Sequence, residues 1–248
     1  MDARKQGVDL MEKIINLLDL YCKAGGAGMG YHLAGFNVTG VDIAPQPRYP
    51  FKFIQADALE YLRDHGHEYD IIHASPPCQR YSAMTNGRWQ DRVNDHPDLV
   101  QPTRELLIAS GKAYIIENVV GAPLINPTML CGSMFGLQSK AGNPLYRHRL
   151  FETSFQVGLT PPCQHNKASA IGVYGGGQNP SRRKTLPAVA VYGHSGGTTK
   201  RGDATFGIEA RREAMGIDWM TGNELSQAIP PAYTKFISQF INQKGVPS

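Results

Sequence analysis

The sequence has no uninterrupted apolar run near the roughly 20 residues that a membrane-crossing helix requires, so no helical membrane span is expected. Cysteine is scarce: only Cys22, Cys78, Cys131 and Cys163 occur, with no CxxC pair among them. That argues against a disulfide framework and for free thiols in a reducing compartment. The opening stretch MDARKQGVDLMEKIINLLDL sets charges in every turn and lacks the apolar block of a signal peptide. The excess of one charge sign over the other is small as well. Lys and Arg total 25 against 21 Asp and Glu, a net +4 that hints only faintly at a polyanionic partner. What is present is ordinary for a globular chain: 248 residues, 41% hydrophobic and 19% charged, enough for one α/β domain with a small appendage.

The first two-thirds alternates short apolar runs with helix-like stretches. KIINLLDLY (13–21), FNVTGVDI (36–43), FKFIQAD (51–57), EYDIIHAS (68–75) and KAYIIENV (112–119) read as strands. DLVQPTRELLIASG (98–111) reads as a helix with Pro102 in its first turn. The alternation predicts a doubly wound, mostly parallel sheet of the Rossmann-like kind. Such sheets bind ligands at the carboxyl ends of their strands, and the unusual polar residues cluster there: Asp19, Asp42, Asp57, Ser75 to Gln79, Glu117 and Asn118. The expected organisation is a core over 1–153, a loop-rich basic insert over 154–207, and helices over 208–248 that return to the core. Acidic residues are missing from Ser154 to Gly202, where six basic residues occur, and nine glycines lie between Ile171 and Gly207. The fragments VYGGG (173–177) and VYGHSGG (191–197) suggest a local duplication or two similar hairpins.

Three turns carry chemistry. In DLYCKAGGAGMG the glycines let backbone approach a nucleotide-like ligand, although a tight turn without ligand would use them too. Asp42, ending the second strand, is placed to accept from both ribose hydroxyls. Asp57 is placed for an adenine amino group, or as a helix N-cap before ALEYL. In SPPCQ two prolines stiffen a loop that presents Cys78 after an apolar strand, where a small buried hydrophobe is the plainer use of cysteine. Nearby cations there would favour a thiolate nucleophile. In IIENV, Glu117 ends a very apolar strand, so burial should raise its pKa and keep it protonated as an acid. Pairing with Arg147 or Arg149 is compatible with that role.

These residues resemble the cytosine-5 DNA methyltransferases. DLYCKAGGAGMGYHLAGF, VDI and ADAL are similar to the family's first three cofactor motifs, SPPCQRYS to its nucleophile motif, ENV to its glutamate motif and RHRLF to its paired-arginine motif. LSQAIPP resembles the segment that closes the cofactor pocket. The likeness spans about 14–153 and 208–242. It implies S-adenosylmethionine as methyl donor, leaving as S-adenosylhomocysteine. It implies cofactor contacts from Asp19, Tyr21, Cys22, Ala24, Gly25, Gly26, Asp42, Ile43, Asp57, Ala58, Pro77, Gln227 and Ala228. Lys23 stands where the family usually has glycine, Leu145 where it has glutamine, and Ser226 and Gln227 where it has Gly-Asn.

By the same resemblance, Cys78 adds to carbon 6 of a flipped-out cytosine, Glu117 donates to N3, Arg149 holds the carbonyl side and Arg147 supports the loop. Gln79, Ser82, Arg182, Arg183, Lys184, Lys200 and Arg201 are the expected nucleic-acid contacts. The implied partner is double-stranded DNA, met by a monomer in the cytoplasm of a prokaryote or virus-infected cell, for restriction–modification or genome protection. A transfer-RNA cytosine methyltransferase and a binding module without catalysis are the competing readings. Cys163 and His165 lack two further convincing ligands, so no metal is expected. His65 and His67 read as surface residues, and Trp89 as a lid anchor or packing.

Overall fold

A computed structural model describes residues 14–78, 81, 98–165, 171–173, 189–191 and 207–241. Five parallel strands run in the order β3-β2-β1-β4-β5: β1 Asn16–Leu20, β2 Asn37–Asp42, β3 Lys52–Gln55, β4 Ile71–Ala74 and β5 Ala113–Asn118. Antiparallel β7 (Arg149–Thr153) pairs with β5 and is followed outward by β6 (Thr128–Leu130). This is the doubly wound, Rossmann-like arrangement that the alternation implies, with the order reversing between β1 and β4.

The central strands are apolar on both faces because helices cover both. Leu17, Ile71 and Ile115 join one core with Tyr31 of α1 (Gly26–His32) and with Tyr233 and Ile237 of α6 (Pro231–Ser238). Their neighbours Leu18, Ile72 and Ile116 join the opposite core with Leu62 of α2 (Ala58–His65) and Leu107 of α3 (Val100–Ala109). The two-residue period of a strand thus sorts each Leu-Leu and Ile-Ile pair between two layers. α6 lies tight against α1 because residue 30 is glycine: a Cβ there would overlap Thr234 Oγ1 and the Pro231 carbonyl. Pro231 opens α6 at its first turn, where its missing N–H costs nothing.

A third cluster, with Leu145, Met215, Ile217, Leu225 and Ala228, packs α4 (Ile208–Met215) and α5 (Gly222–Gln227) beside the glycine-rich turn. Val173 and Val191, the first residues of the two similar fragments, end strands β8 (Ile171–Val173) and β9 (Val189–Val191), which pair parallel with Val173 opposite Val191. The remaining residues of both fragments lie outside the described residues. Among the described residues no helix is long and apolar enough to cross a membrane.

Candidate active site

The carboxyl ends of the parallel strands β1, β2, β4 and β5 lie along one edge of the sheet. On the β1 side the chain turns sharply after Leu20. Tyr21 and Lys23 take φ of 57° and 46°, and Gly25 takes 85°. A left-handed backbone costs a side-chain-bearing residue roughly 1–2 kcal/mol, and such strain concentrates at functional turns. The position of Lys23 is therefore one where glycine would sit unstrained. Lys23 offsets part of the cost by binding Asp42: its N–H donates to Oδ2 at 3.2 Å and its Nζ lies 3.6 Å from the same oxygen. Ala44 N donates to Asp42 Oδ1 at 3.0 Å. Exposed Ile43 stands beside this acid, an apolar side chain open to a ligand.

Asp19 is fully buried. Tyr49 donates to its Oδ2 at 3.2 Å, while Oδ1 has no hydrogen-bond partner. Burial, with a smaller contribution from Asp42, pushes its carboxyl up to about 7. An orphaned, buried carboxylate oxygen beside a glycine turn fits a ligand bearing N–H groups. Cys22 is buried, and desolvation with nearby Asp19 and Asp42 pushes its thiol far up, so it stays neutral. Asp57 acts as the α2 N-cap, accepting from Leu59 N at 2.9 Å and Glu60 N at 3.0 Å, and Ala58 is buried in the first turn. The closing segment meets the turn directly: a Cβ on Gly26 would lie 2.5 Å from the Ile229 carbonyl and 3.2 Å from Ala228 Cβ. Gln227 is exposed at the end of α5. Trp219 Nε1 donates to the Ala24 carbonyl at 2.8 Å, fastening the C-terminal segment over the loop.

On the β4–β5 side, Ser75-Pro76-Pro77 leads to half-buried Cys78. Asn118 Nδ2 donates to the Pro76 carbonyl at 3.0 Å, fixing the proline turn to β5. Glu117, two residues beyond core Ile115 on the same face of β5, is buried, and Arg149 Nε lies 3.0 Å from its Oε1. Burial raises the Glu117 carboxyl, opposed by Arg149, Arg147 and a hydrogen bond from Ser75. Burial also raises the Cys78 thiol, which feels Arg149 and Arg147 pulling it down and Glu117 pushing it up. The four side chains thus share one electrostatic environment.

Arg147 does a second task there. Its NH2 donates to the Ser226 carbonyl at 2.8 Å, and Tyr233 OH donates to the Arg147 carbonyl at 2.6 Å. It clamps the closing segment to the strand that bears Arg149.

Sequence reasoning did not find Tyr49, Trp219 or the chain behind Glu117. In that chain Tyr31 OH lies 2.9 Å from His73 Nδ1, and His73 Nε2 lies 2.9 Å from Ser75 Oγ. Burial drives His73 down to about 3, so it is neutral and passes a directional hydrogen bond between the two hydroxyls. Tyr31 and Ser75 lie in motifs the sequence marks, but their link through His73 is set only by the packing of α1 against β4. His65 and His67 fall at the end of α2 and in the short turn after it, and His65 Nδ1 pairs with Glu68 at 2.8 Å. Gln79, Ser82, Trp89, Arg182, Arg183, Lys184, Lys200 and Arg201 lie outside the described residues.

No family model matches the chain. In sequence it is similar to the Type II methyltransferase M.AgeI of Thalassovita gelatinovora, with 29% identity over 124 residues. The match covers 42% of this chain and 28% of that protein. In structure it is similar to the Entamoeba histolytica methyltransferase EhMeth, with a TM-score of 0.54 and 12% identity over 92% of this chain and 98% of the other. It is equally similar to the S. pombe Dnmt2 methyltransferase, with a TM-score of 0.55 and 13% identity over the same shares. The fold is that of the Rossmann-like methyltransferases, and part of the sequence is related to one of them.

Proposed function

We propose, with this methyltransferase-type fold as the premise, that the chain transfers a methyl group from S-adenosylmethionine to carbon 5 of cytosine in DNA. The carrying observation is that Cys78, Glu117, Arg147 and Arg149 meet at the tips of adjacent strands, beside the glycine-rich turn.

The cofactor crevice suits such a donor. Asp19 Oδ1 would take its amino group, Asp42 the ribose and Ile43 the adenine face, with Ala228 and the Gly25-Gly26 turn enclosing it. When bound, the donor supplies an electrophilic methyl group on a sulfonium. The chain's own residues supply the rest. The Cys78 thiol, once ionised in the field of Arg149 and Arg147, attacks carbon 6 of the ring and pushes electron density toward carbon 5. Glu117, whose carboxyl burial shifts toward the protonated form, donates to N3 and offsets the charge that builds there. The hydroxyl chain Tyr31–His73–Ser75 holds Glu117 in place. Arg149 holds the carbonyl side of the base. With the methyl on carbon 5, the carbon 5 proton passes to water, Cys78 leaves as the thiolate and N3 returns its proton to Glu117, restoring the aromatic ring and both side chains. The base must leave its stack to enter this crevice, at a cost of a few kcal/mol. On this reading the basic residues between 154 and 207 offset that cost through phosphate contacts.

The test is transfer of labelled methyl groups to duplex DNA and to RNA side by side, together with trapping on 5-fluorocytosine DNA. Wild-type protein should label duplex DNA and form a covalent adduct. Cys78→Ala should abolish both while binding S-adenosylhomocysteine within a few-fold of wild type. Labelling of RNA alone would overturn the DNA assignment. DNA binding without an adduct would overturn the catalytic one.

A further inference from the structure

Outside the crevice, folding gathers Cys131, His148, Cys163 and His165 into one cluster whose ligand atoms all lie within 4.8 Å of one another. They come from separate stretches: Cys131 follows edge strand β6, His148 precedes β7, and Cys163-Gln-His165 belongs to the segment after β7. Cys163 and His165 alone lacked partners in the sequence; the β6–β7 pairing supplies the other two.

We propose that these four residues form a structural site for one zinc ion. Both histidines present Nε2 to the sulfurs. Cys131 Sγ and Cys163 Sγ each lie 3.3 Å from His165 Nε2, and His148 Nε2 lies 3.4 Å from Cys163 Sγ. Zinc bonds of about 2.3 Å to sulfur and about 2.0–2.1 Å to nitrogen, set tetrahedrally, put sulfur and nitrogen roughly 3.6 Å apart. The three sulfur–nitrogen distances are within a few tenths of an ångström of that figure. Two thiolates and two imidazoles are the donor set of a borderline-soft divalent ion, and four protein ligands leave no open position for catalysis.

A supporting shell is built in. The Ser133 hydroxyl lies 3.3 Å from Cys131 Sγ and 3.7 Å from Cys163 Sγ, and Gln164 N donates to it at 3.2 Å. Tyr146 stacks on His165 with ring centroids 4.0 Å apart and planes 17° from parallel. Such outer contacts fix ligand orientation at metal centres. The site staples the start of the basic, glycine-rich segment to the sheet edge, at the residue between Arg147 and Arg149. That segment has little apolar content with which to build a core, which is where a metal crosslink contributes most.

The inference stands apart from the methyl-transfer reading. The full chain, expressed with zinc and purified without chelator, should carry about one zinc per molecule by elemental analysis. Replacement with cobalt should give the visible bands of a tetrahedral ion and a sulfur-to-cobalt charge-transfer band. The pair Cys163→Ser and His165→Ala, both away from the buried core, should lower zinc content at least roughly tenfold and remove both bands, with circular dichroism showing a folded chain. Cys131→Ser is expected to do the same but is buried, so the first pair carries the decision. Zinc-free wild-type protein, a Cys131–Cys163 disulfide, an octahedral cobalt spectrum, or zinc content unchanged in the double variant would each overturn the site.

Discussion

Under the proposed function, the proton on Asp19 should report on donor binding. Burial pushes its carboxyl from 3.8 to about 7, and its Oδ1 lacks a partner. A donor with an α-ammonium group binds the ionised form, and that form grows from about a tenth of molecules near pH 6 to about nine tenths near pH 8. Affinity for S-adenosylhomocysteine should therefore tighten roughly tenfold across that window. Asp19→Asn keeps the shape and removes the charge. Its affinity should be flat with pH and, near pH 8, weaker by about 1.5–3 kcal/mol, or roughly 10- to 150-fold.

Stability gives an independent reading of the same proton. Between pH 3.8 and about 7 the folded chain holds a proton at Asp19 that the unfolded chain has released. For an acid whose pKa is raised on folding, stability is highest below that window and falls as pH rises through it. The ligand-free protein should lose at most about 1.4 kcal/mol per pH unit there, and Asp19→Asn should remove that slope. Calorimetric titration of ligand and urea unfolding, each at several pH values, measure the two effects. Wild-type affinity independent of pH, together with Asp19→Asn binding as tightly near pH 8, would refute the assignment.

Glu117→Gln keeps the contact with Arg149 but cannot give up a proton, so kcat should fall by about 10²–10⁴-fold with cofactor affinity unchanged. Because burial raises this acid, the wild-type rate should decline on the alkaline side as Glu117 ionises, and single-turnover rates against pH should show that limb vanish in the variant. The buried pair of Arg104 on α3 and Glu152 on β7 is bidentate, with both bonds at 2.8 Å, and Glu152 also accepts from Ile125 N at 2.7 Å. Glu152→Ala should lower unfolding free energy by about 3–5 kcal/mol in urea, since it strands a buried guanidinium. Ligand affinity of the folded fraction should not change.

The local parts of this protein were readable as sequence. Each strand from β1 to β5 lies inside the segment that announced it, and the central strands β1, β4 and β5 are the most apolar because both their faces are covered. The glycine turn, the stiff proline loop before Cys78 and the acid ending β5 were legible for a related reason: backbone freedom, backbone rigidity and a charge at an apolar strand end are each properties of a few adjacent residues. The strained φ of Lys23 was not legible, since lysine gives no sign of a left-handed turn. Contacts between distant segments were decided only by the tertiary structure. Strand order brings His73 and Ser75 behind Glu117, the C-terminal segment carries Trp219 to Ala24 across the turn, and the β6–β7 edge joins Cys131 and His148 to Cys163 and His165. Periodicity records which face a residue takes. It does not record which remote residue will meet it there, because that is fixed by how the strands and helices are ordered and packed.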